Sequence, residues 1–205
     1  MDFSPKGKSA DTIEQRYFTV DQQRKFDLLV ALLKRESPEQ AIVFCRTKRG
    51  ADRVNRRLSQ KIKGVDCIHG DMQQRVRDRV MKQFRAGATT ILVATDVVGR
   101  GIDVTNISHI INYDLPQSSD DYVHRVGRTG RMGREGIAFS FVTPEQGNEL
   151  TRIEMLINKL LVRDELAGFQ AVEQAAPPQQ APDEEAEKKP LPPGPRPTKR
   201  HRRAM

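Results

Sequence analysis

Residues 124–131, HRVGRTGR, form the densest group of side chains suited to chemistry in this chain. Three arginines lie within seven residues there, and two glycines separate them. Because glycine in a helix interior costs roughly 1 kcal/mol relative to alanine, the segment is a poor solvent-exposed helix face. Arginines held on a tight backbone are suited to bidentate contacts with phosphate oxygens. The alternative is a surface arginine patch paired with Asp120, Asp121 or Glu135.

Three further polar clusters each follow a short apolar run. They comprise Arg46, Thr47 and Lys48; His69, Gly70 and Asp71 with Gln74 and Arg77; and Thr95 and Asp96 with the loop 99–103. If the apolar runs are parallel strands, the clusters meet at one edge of a sheet, where ligands bind. Hydroxyl and backbone donors position a phosphate chain there, and arginine counters its charge. A threonine after a strand is more often a helix cap, but three such clusters in a basic domain favour nucleic-acid binding.

The elements that must position these clusters alternate between about residue 13 and residue 160. Strands are predicted at 41–45, 65–68, 90–94, 107–113 and 137–142. Apolar residues with helical spacing predict helices on the faces Phe26-Leu29-Val30-Leu33, Ala51-Val54-Leu58, Val76-Val80-Phe84 and Leu150-Ile153-Ile157-Leu160. Apolar strands of this kind suit a parallel sheet that is covered on both faces. The alternation therefore predicts an α/β fold with an open, mostly parallel sheet and crossover helices.

The chain is basic, and its composition changes near its end. Its 205 residues hold 35 Lys+Arg and 27 Asp+Glu, a net charge of +8, which indicates a polyanionic partner. After Gly168, proline, glutamine, alanine and charged residues dominate, which is typical of disorder. We therefore expect a flexible linker at 1–10, one domain at 11–168, and a disordered, proline-rich tail with a basic end at 169–205.

Several classes of protein do not fit the sequence. Two cysteines, Cys45 and Cys67, lie in apolar runs, which excludes a disulfide scaffold and indicates a reducing compartment. No apolar run approaches ~18 residues and no secretory leader is recognisable, so we expect a cytoplasmic protein with no membrane partner. The sequence shows no Walker-type loop, dinucleotide fingerprint, metal-ligand spacing or Ser/His/Asp arrangement. Aromatic residues make up only 5 %, which favours contacts to a nucleic-acid backbone over base stacking.

Taken in order, the polar clusters resemble motifs of the C-terminal RecA-like domain of bacterial-type DEAD-box RNA helicases. AIVFCRTK at 41–48 resembles the fourth motif of that family. HGDMQQRVR at 69–77 resembles the segment whose Gln and Arg touch RNA. ATDVVGRGIDV at 94–104 resembles the fifth motif, and YVHRVGRTGR at 122–131 resembles the sixth. The resemblance covers about residues 11–160 and implies a single RecA-like domain.

The resemblance also implies a role for each matching residue. His124 favours the DEAD-box branch over the DEAH relatives, which have Gln at that place. The implied ATP-binding residues are Gly101, Asp103, Arg128 and Arg131, of which Asp103 would contact the ribose and the two arginines would be catalytic arginine fingers. The implied RNA-binding residues are Thr47, Gln74, Arg77 and Thr95. Arg100 and His124 would face a cleft toward a second helicase domain.

The resemblance also implies that two domains together form the ATP site. ATP and Mg²⁺ would lie between this domain and an N-terminal RecA-like domain, whose Walker loop and metal-binding carboxylates this sequence does not contain. We therefore expect half of an ATP-dependent RNA helicase, inactive alone, with RNA and the N-terminal domain as partners. The alternative is a stand-alone, non-catalytic RNA-binding or regulatory module. The ATP-facing arginines argue against that alternative, because a pure RNA binder does not need them.

Overall fold

The computed structural model describes residues 13–96, 104, 106–130 and 135–171. Within these ranges the strands are β1 Ile13–Thr19, β2 Ala41–Phe44, β3 Val65–Ile68, β4 Ile91–Ala94, β5 His109–Asn112, β6 Gly136–Val142 and β7 Val162–Arg163. The α-helices in the same ranges are α1 Lys25–Glu36, α2 Lys48–Ser59, α3 Gln74–Arg85, α4 Ser119–Val126 and α5 Gly147–Ile157. None of these helices is long and apolar enough to cross a membrane.

The described strands form one parallel sheet in the order β3-β4-β2-β5-β6-β1-β7. In its interior, Val43 of β2 pairs with Val93 of β4 on one side and with Ile111 of β5 on the other. Parallel neighbours need crossover connections. Among the described residues, helices lie in all the connections between successive strands except the one from β4 to β5, most of which lies outside the described residues. The predicted α/β fold with an open parallel sheet is confirmed.

Helices cover both faces of this sheet, as the apolar strands predicted. Along β2, Ile42 and Phe44 point to a core that α3, α4 and α5 cover. Val43 and the following Cys45 point to a second core, which α1 and α2 cover. All four side chains are at most 1 % exposed. Because side chains alternate along a strand, the two cores lie on opposite faces of the sheet.

Two of the helices begin at the edge of the sheet where the strands end, and each begins at a side-chain cap. The hydroxyl of Thr47 accepts a hydrogen bond from the backbone N–H of Gly50 at 3.1 Å at the start of α2. The hydroxyl of Ser118 accepts one from the backbone N–H of Asp121 at 3.2 Å at the start of α4. Caps of this kind are worth about 1 kcal/mol and fix where a helix starts. They therefore set the position of the polar residues at this edge.

The packed part of the chain continues beyond the domain boundary expected at residue 168. Phe169 contacts the second core, and the guanidinium of Arg24 lies 5.1 Å from the centre of its ring. The carbonyl of Ala171 accepts a hydrogen bond from the backbone N–H of Asp21 at 2.9 Å. The first residues of the expected tail are thus part of the domain. The rest of that tail, residues 172–205, and the expected linker at 1–10 lie outside the described residues.

Asp164 fastens the strand β7 to β1 and α1. Its carboxylate accepts hydrogen bonds from Arg35, at 2.6 and 3.2 Å, and from Arg16, at 3.2 Å. Burial alone would raise the pKa of Asp164, but the hydrogen bonds and charges of the two arginines outweigh it and lower the pKa below the usual 3.8. A lowered pKa in the folded state stabilises the protein above pH 3.8, and this contribution disappears as the pH falls below that value.

We expect Asp164→Asn to lower the free energy of unfolding by about 1.5–3 kcal/mol at pH 7, because it removes charged hydrogen bonds from a side chain that is only 10 % exposed. Urea denaturation measures this difference, which should shrink below pH 3.8. The matched control is Glu165→Gln, since Glu165 is 77 % exposed and pairs only with the surface residue Arg163. An equal loss in both variants would contradict the role of Asp164.

Candidate nucleic-acid interface

The described residues of the three polar clusters lie side by side at the carboxyl edge of the sheet, and the loop 99–103 of the third cluster lies outside the described residues. They follow β3, β4 and β2, which are neighbours in the sheet. Thr47 is exposed and caps α2, whereas Thr95 is only 7 % exposed at the end of β4. A role as a helix cap and a role in contacting RNA are therefore compatible for Thr47, because a hydroxyl that accepts one hydrogen bond still has a proton to donate.

Gln74 and Arg77 form a hydrogen-bonded row on the first turns of α3. Arg77 Nη1 donates to Gln74 Oε1 at 3.1 Å, and Gln74 Nε2 donates to Asp78 Oδ1 at 2.7 Å. The Nε atom of Arg77 is buried and has no hydrogen-bond acceptor among the described residues. The row therefore fixes the guanidinium of Arg77, a partly buried side chain, at the start of α3.

Arg125, the first arginine of the arginine-rich segment, faces inward. It is 2 % exposed, and its Nε and Nη2 atoms donate to the two carboxylate oxygens of Asp96 at 2.5 and 2.8 Å. Its Nη1 atom donates to Asn112 Oδ1 at 3.0 Å and to the carbonyl of Asp114 at 2.7 Å. The guanidinium also lies 4.9 Å from the centre of the Phe44 ring. This set of contacts is called the Arg125 bridge below.

The Arg125 bridge corrects the interpretation of the arginine-rich segment. Arg125 is not available as a phosphate ligand, because it is 2 % exposed and four hydrogen bonds engage its Nε, Nη1 and Nη2 atoms inside the protein. Its partner is also none of the three acidic residues that the alternative interpretation proposed. The bridge joins the end of β4 to the end of β5 and to the last turn of α4.

Thr129 anchors the backbone that follows α4. Its hydroxyl contacts the carbonyls of Ile107 and Ser108 at 2.5 and 3.1 Å, and the side chain is 1 % exposed. The start of β6 packs against this turn so closely that a Cβ on Gly136 would lie 2.6 Å from the backbone nitrogen of Gly130. Gly130 itself has a φ of +67°, which favours glycine. The hydrogen bonds of Thr129 and the packing of the start of β6 therefore both fix this turn.

His124 and Arg128 stand one helical turn apart where α4 ends. His124 is exposed and Arg128 is partly buried. Arg128 Nε donates to the carbonyl of His124 at 3.2 Å, which orients the side chain. The predicted site residues Arg100, Gly101, Asp103 and Arg131 lie outside the described residues.

A buried lysine that the sequence analysis missed supports the same edge. Lys25 at the start of α1 is 1 % exposed, and its Nζ lies 3.3 Å from Asp114 Oδ1. The other carboxylate oxygen of Asp114 accepts the backbone N–H of Arg46 at 3.1 Å. Asp114 thereby joins the loop after β2 to the loop after β5. The only sign of this role in the sequence was the position of Lys25, one residue before the apolar helix face that begins at Phe26.

One group among the described residues has the spacing of a metal site. Single ligand atoms of Asp52, Cys67 and His69 lie within 4.8 Å of one another. Burial, together with the charge of Asp52, raises the pKa of the Cys67 thiol to about 12, so the thiol keeps its proton at neutral pH. Asp52 Oδ1 lies 3.0 Å from His69 Nε2 and ties α2 to the end of β3. We assign this group the structural role of joining α2 to the end of β3.

Comparisons with known proteins identify the class of protein that has this fold and site. A family model described as the helicase conserved C-terminal domain matches residues 24–133. The DEAD-box ATP-dependent RNA helicase CshA of Bacillus cereus is 44 % identical over 151 residues, which are 74 % of this chain and 29 % of CshA. A DEAD box protein from Methanococcus jannaschii is similar in structure, with a TM-score of 0.72 and 37 % identity over 77 % of this chain and 43 % of the other.

Saccharomyces cerevisiae Dbp5, in a structure with RNA and ADP BeF3, is also similar, with a TM-score of 0.71 and 36 % identity over 75 % of this chain and 42 % of Dbp5. The fold and these relatives define a C-terminal RecA-like domain. The chain belongs to the helicase conserved C-terminal domain family, in its DEAD-box RNA helicase branch. It spans 28 % to 34 % of the length of these CshA proteins.

Proposed function

We propose that this domain is the C-terminal half of an ATP-dependent RNA helicase. It binds the RNA backbone along the carboxyl edge and adds arginines to an ATP site that an N-terminal RecA-like domain completes. The observation that carries this proposal is the Arg125 bridge, because it connects Asp96, next to the RNA-facing Thr95, to the turn that bears Arg128. RNA contacts and ATP contacts would therefore move together as one rigid unit.

The RNA-binding part of the proposal rests on the residues at the starts of α2 and α3. Thr47, Gln74 and Arg77 are polar donors on neighbouring elements, and the hydrogen bond from Arg77 to Gln74 orients the guanidinium. The guanidinium of Arg77, whose side chain is only partly buried, would donate to a phosphate oxygen. Thr95, at the end of β4, would add a hydroxyl contact to the same RNA strand. These contacts involve the backbone, so binding should tolerate changes of RNA sequence.

The ATP-binding part of the proposal rests on Arg128. The side chain of Arg128 is partly buried, and its Nε donates to the carbonyl of His124. This contact restricts the guanidinium, as expected of a group that must reach one fixed phosphate position. When bound, ATP would supply the phosphoanhydride bond whose hydrolysis drives the helicase, with Mg²⁺ held by the N-terminal domain. Arg128 and Arg131 would counter the charge on the phosphoryl group, and Gly101 and Asp103 would contact the nucleotide.

Coupling to the N-terminal domain would use the residues that surround the arginine turn. His124 is exposed on the last turn of α4 and would contact the other domain across the cleft, together with Arg100. The sequence contains no Walker-type loop, so we expect the chain alone not to turn over ATP.

The RNA contacts are tested with Arg77→Ala in this chain. Neutralising one phosphate contact to a single strand changes the slope of log affinity against log salt concentration by about 0.7. We therefore expect Arg77→Ala to weaken binding of a single-stranded RNA and to flatten that slope by about 0.7, measured by fluorescence anisotropy over a salt series.

The matched control is Arg152→Ala, which removes an exposed arginine from α5, distant from the carboxyl ends of β2, β3 and β4 in the sheet order. It should leave both affinity and slope unchanged. Strong dependence of binding on RNA sequence, or equal losses in the two variants, would contradict the proposed backbone contacts.

A further inference from the structure

Three side chains that can bind a metal meet where α2 packs against the end of β3. They are Asp52 of α2, Cys67 of β3 and His69, which directly follows that strand. Single ligand atoms of the three residues lie within 4.8 Å of one another. Carboxylate, thiolate and imidazole are the side-chain groups that bind zinc in proteins. The group therefore has both the composition and the spacing of a zinc site.

The fold brings these residues together from two elements. Cys67 and His69 are two residues apart on extended chain, so their side chains point to the same side. That side faces α2, because Cys67 belongs to the second core, to which α2 contributes Ala51 and Val54. Asp52 follows Ala51 directly and lies 15 residues before Cys67. The sequence analysis found no metal-ligand spacing because one of the three ligands lies on a separate element.

The distance between two of the ligand atoms already suits a tetrahedral metal. His69 Nε2 lies 3.0 Å from Asp52 Oδ1. Two ligand atoms that are each about 2.0–2.1 Å from a tetrahedral zinc ion are separated by about 3.3 Å. The pair needs to open by only a few tenths of an ångström, and the exposed side chain of Asp52 can adjust to the sulfur of Cys67. A metal can thus replace the proton that the imidazole and the carboxylate share.

Two buried polar atoms beside this group lack a hydrogen-bond partner in the part of the chain that the structure describes. One is His69 Nδ1, so the ring proton can move from Nε2 to Nδ1 without breaking another hydrogen bond, which frees Nε2 for a metal. The other is Asn55 Oδ1, and Asn55 lies one turn after Asp52 on the same side of α2. A buried acceptor that lacks a donor is stabilised by positive charge nearby.

The ligand set selects the class of metal. Sulfur and imidazole nitrogen favour Zn²⁺ and similar transition metals, whereas Mg²⁺ and Ca²⁺ take oxygen ligands. Burial raises the pKa of the Cys67 thiol to about 12, so only a metal that binds thiolate strongly displaces its proton. On binding, the S–H bond breaks, the sulfur donates the electron pair to the metal and the proton goes to solvent. The side chain of Asp52 is 51 % exposed, so water can reach a fourth position.

We propose that Asp52, Cys67 and His69 form a Zn²⁺ site that fastens α2 to the end of β3. Because the three ligands come from two elements, a bound metal would oppose the separation of the helix from the strand. His69 also leads into the loop before α3, so the metal would fix the start of that loop. The site needs neither RNA nor ATP, and the inference is therefore independent of the proposed function.

The test uses Co²⁺ as a spectroscopic substitute for Zn²⁺. A bond between Co²⁺ and a thiolate gives a near-ultraviolet charge-transfer absorption band, which carboxylate and imidazole ligands do not give. We expect titration of the reduced, metal-free chain with Co²⁺ to produce this band and to saturate at one metal ion per chain. Added Zn²⁺ should remove the band by displacing Co²⁺, whereas an excess of Mg²⁺ should leave it unchanged.

Two variants and two matched controls assign the ligands. Cys67→Ala should abolish the band, and Asp52→Asn should weaken Co²⁺ binding by about 100-fold or more, because losing a group that merely orients a ligand already costs about 10–100-fold. Asp52 is exposed, so Asp52→Asn should fold even if Cys67→Ala does not, and the melting curve of each metal-free variant checks this. The controls are Cys45→Ala, at the other cysteine, and Asp27→Asn, at an exposed carboxylate of α1. Both should bind Co²⁺ normally.

A second measurement tests whether the metal fastens the helix to the strand. Zn²⁺ at about 100 times its dissociation constant should raise the melting temperature of the chain by about 5–10 °C and leave that of Asp52→Asn nearly unchanged at the same concentration. Absence of the thiolate band at a large excess of Co²⁺ would overturn the inference. A band that persists in Cys67→Ala, an equal loss in Asp27→Asn, or displacement of Co²⁺ by Mg²⁺ would overturn it as well.

Discussion

Arg128→Ala is expected to reduce ATP turnover by about 10³-fold or more, which corresponds to a barrier about 4 kcal/mol higher. The partly buried side chain is not part of either core, so the fold should survive its loss. The physical reason is that an arginine finger acts on charge that develops in the transition state. The measurement is steady-state, RNA-stimulated ATP hydrolysis by a protein that joins this chain to a DEAD-box N-terminal domain.

Two controls make the Arg128 result specific. Arg128→Lys keeps the charge but loses the planar fork, so it should restore only a small part of the rate. Arg152→Ala removes an exposed arginine from α5 and should leave turnover unchanged. Arg131→Ala, in the same motif, should behave like Arg128→Ala. Near-normal turnover in Arg128→Ala would show that Arg128 is not a finger.

The central strands of the sheet were predictable because burial on both faces leaves a simple pattern. Residues Ala41–Phe44 and Ile91–Ala94 are apolar throughout, and the structure buries every one of them. The sequence analysis did not predict β1, whose residues Glu14, Gln15 and Arg16 interrupt the apolar pattern. This strand lies between β6 and the two-residue β7, so its environment is more polar. Its pairing with β6, more than 100 residues away, leaves no local signal.

The different roles of Arg125 and Arg128 could not be separated by residue type and spacing alone. Both are arginines in a glycine-rich segment, and a phosphate ligand and a buried ion-pair partner require the same side chain. The helical spacing did indicate that Arg125 is buried. Tyr122, Arg125 and Val126 occupy positions i, i+3 and i+4, and all three are buried in α4. The counter-charge, Asp96, lies 29 residues earlier, and only the fold brings it near.

Arg125→Ala is expected to cause a large loss of stability, whereas Arg128→Ala is expected to reduce ATP turnover and leave the fold intact. The substitution leaves the carboxylate of Asp96 without its bidentate partner, and leaves Asn112 Oδ1 and the carbonyl of Asp114 without a donor. Removing one partner of a buried ion pair typically costs about 3–5 kcal/mol, and we expect a loss near the lower end because Asp96 is 27 % exposed and water can partly compensate its charge. Urea denaturation of the chain measures the free energy of unfolding, and Arg128→Ala, three residues away, should change it by less than about 0.5 kcal/mol.

A double-mutant cycle separates the ion pair from the packing of the arginine stem. Asp96→Ala alone should also destabilise, since it leaves the guanidinium of Arg125 buried with no counter-charge. The double variant Arg125→Ala with Asp96→Ala should therefore lose less stability than the sum of the two single variants, with a coupling of up to about 3 kcal/mol. Strictly additive losses would mean that Arg125 contributes through its contacts with Phe44 and Asn112, and the Arg125 bridge would then not depend on Asp96. A measured coupling would explain why the turn bearing Arg128 stays fixed to the strand end that bears Thr95, because the energy of the ion pair opposes their separation.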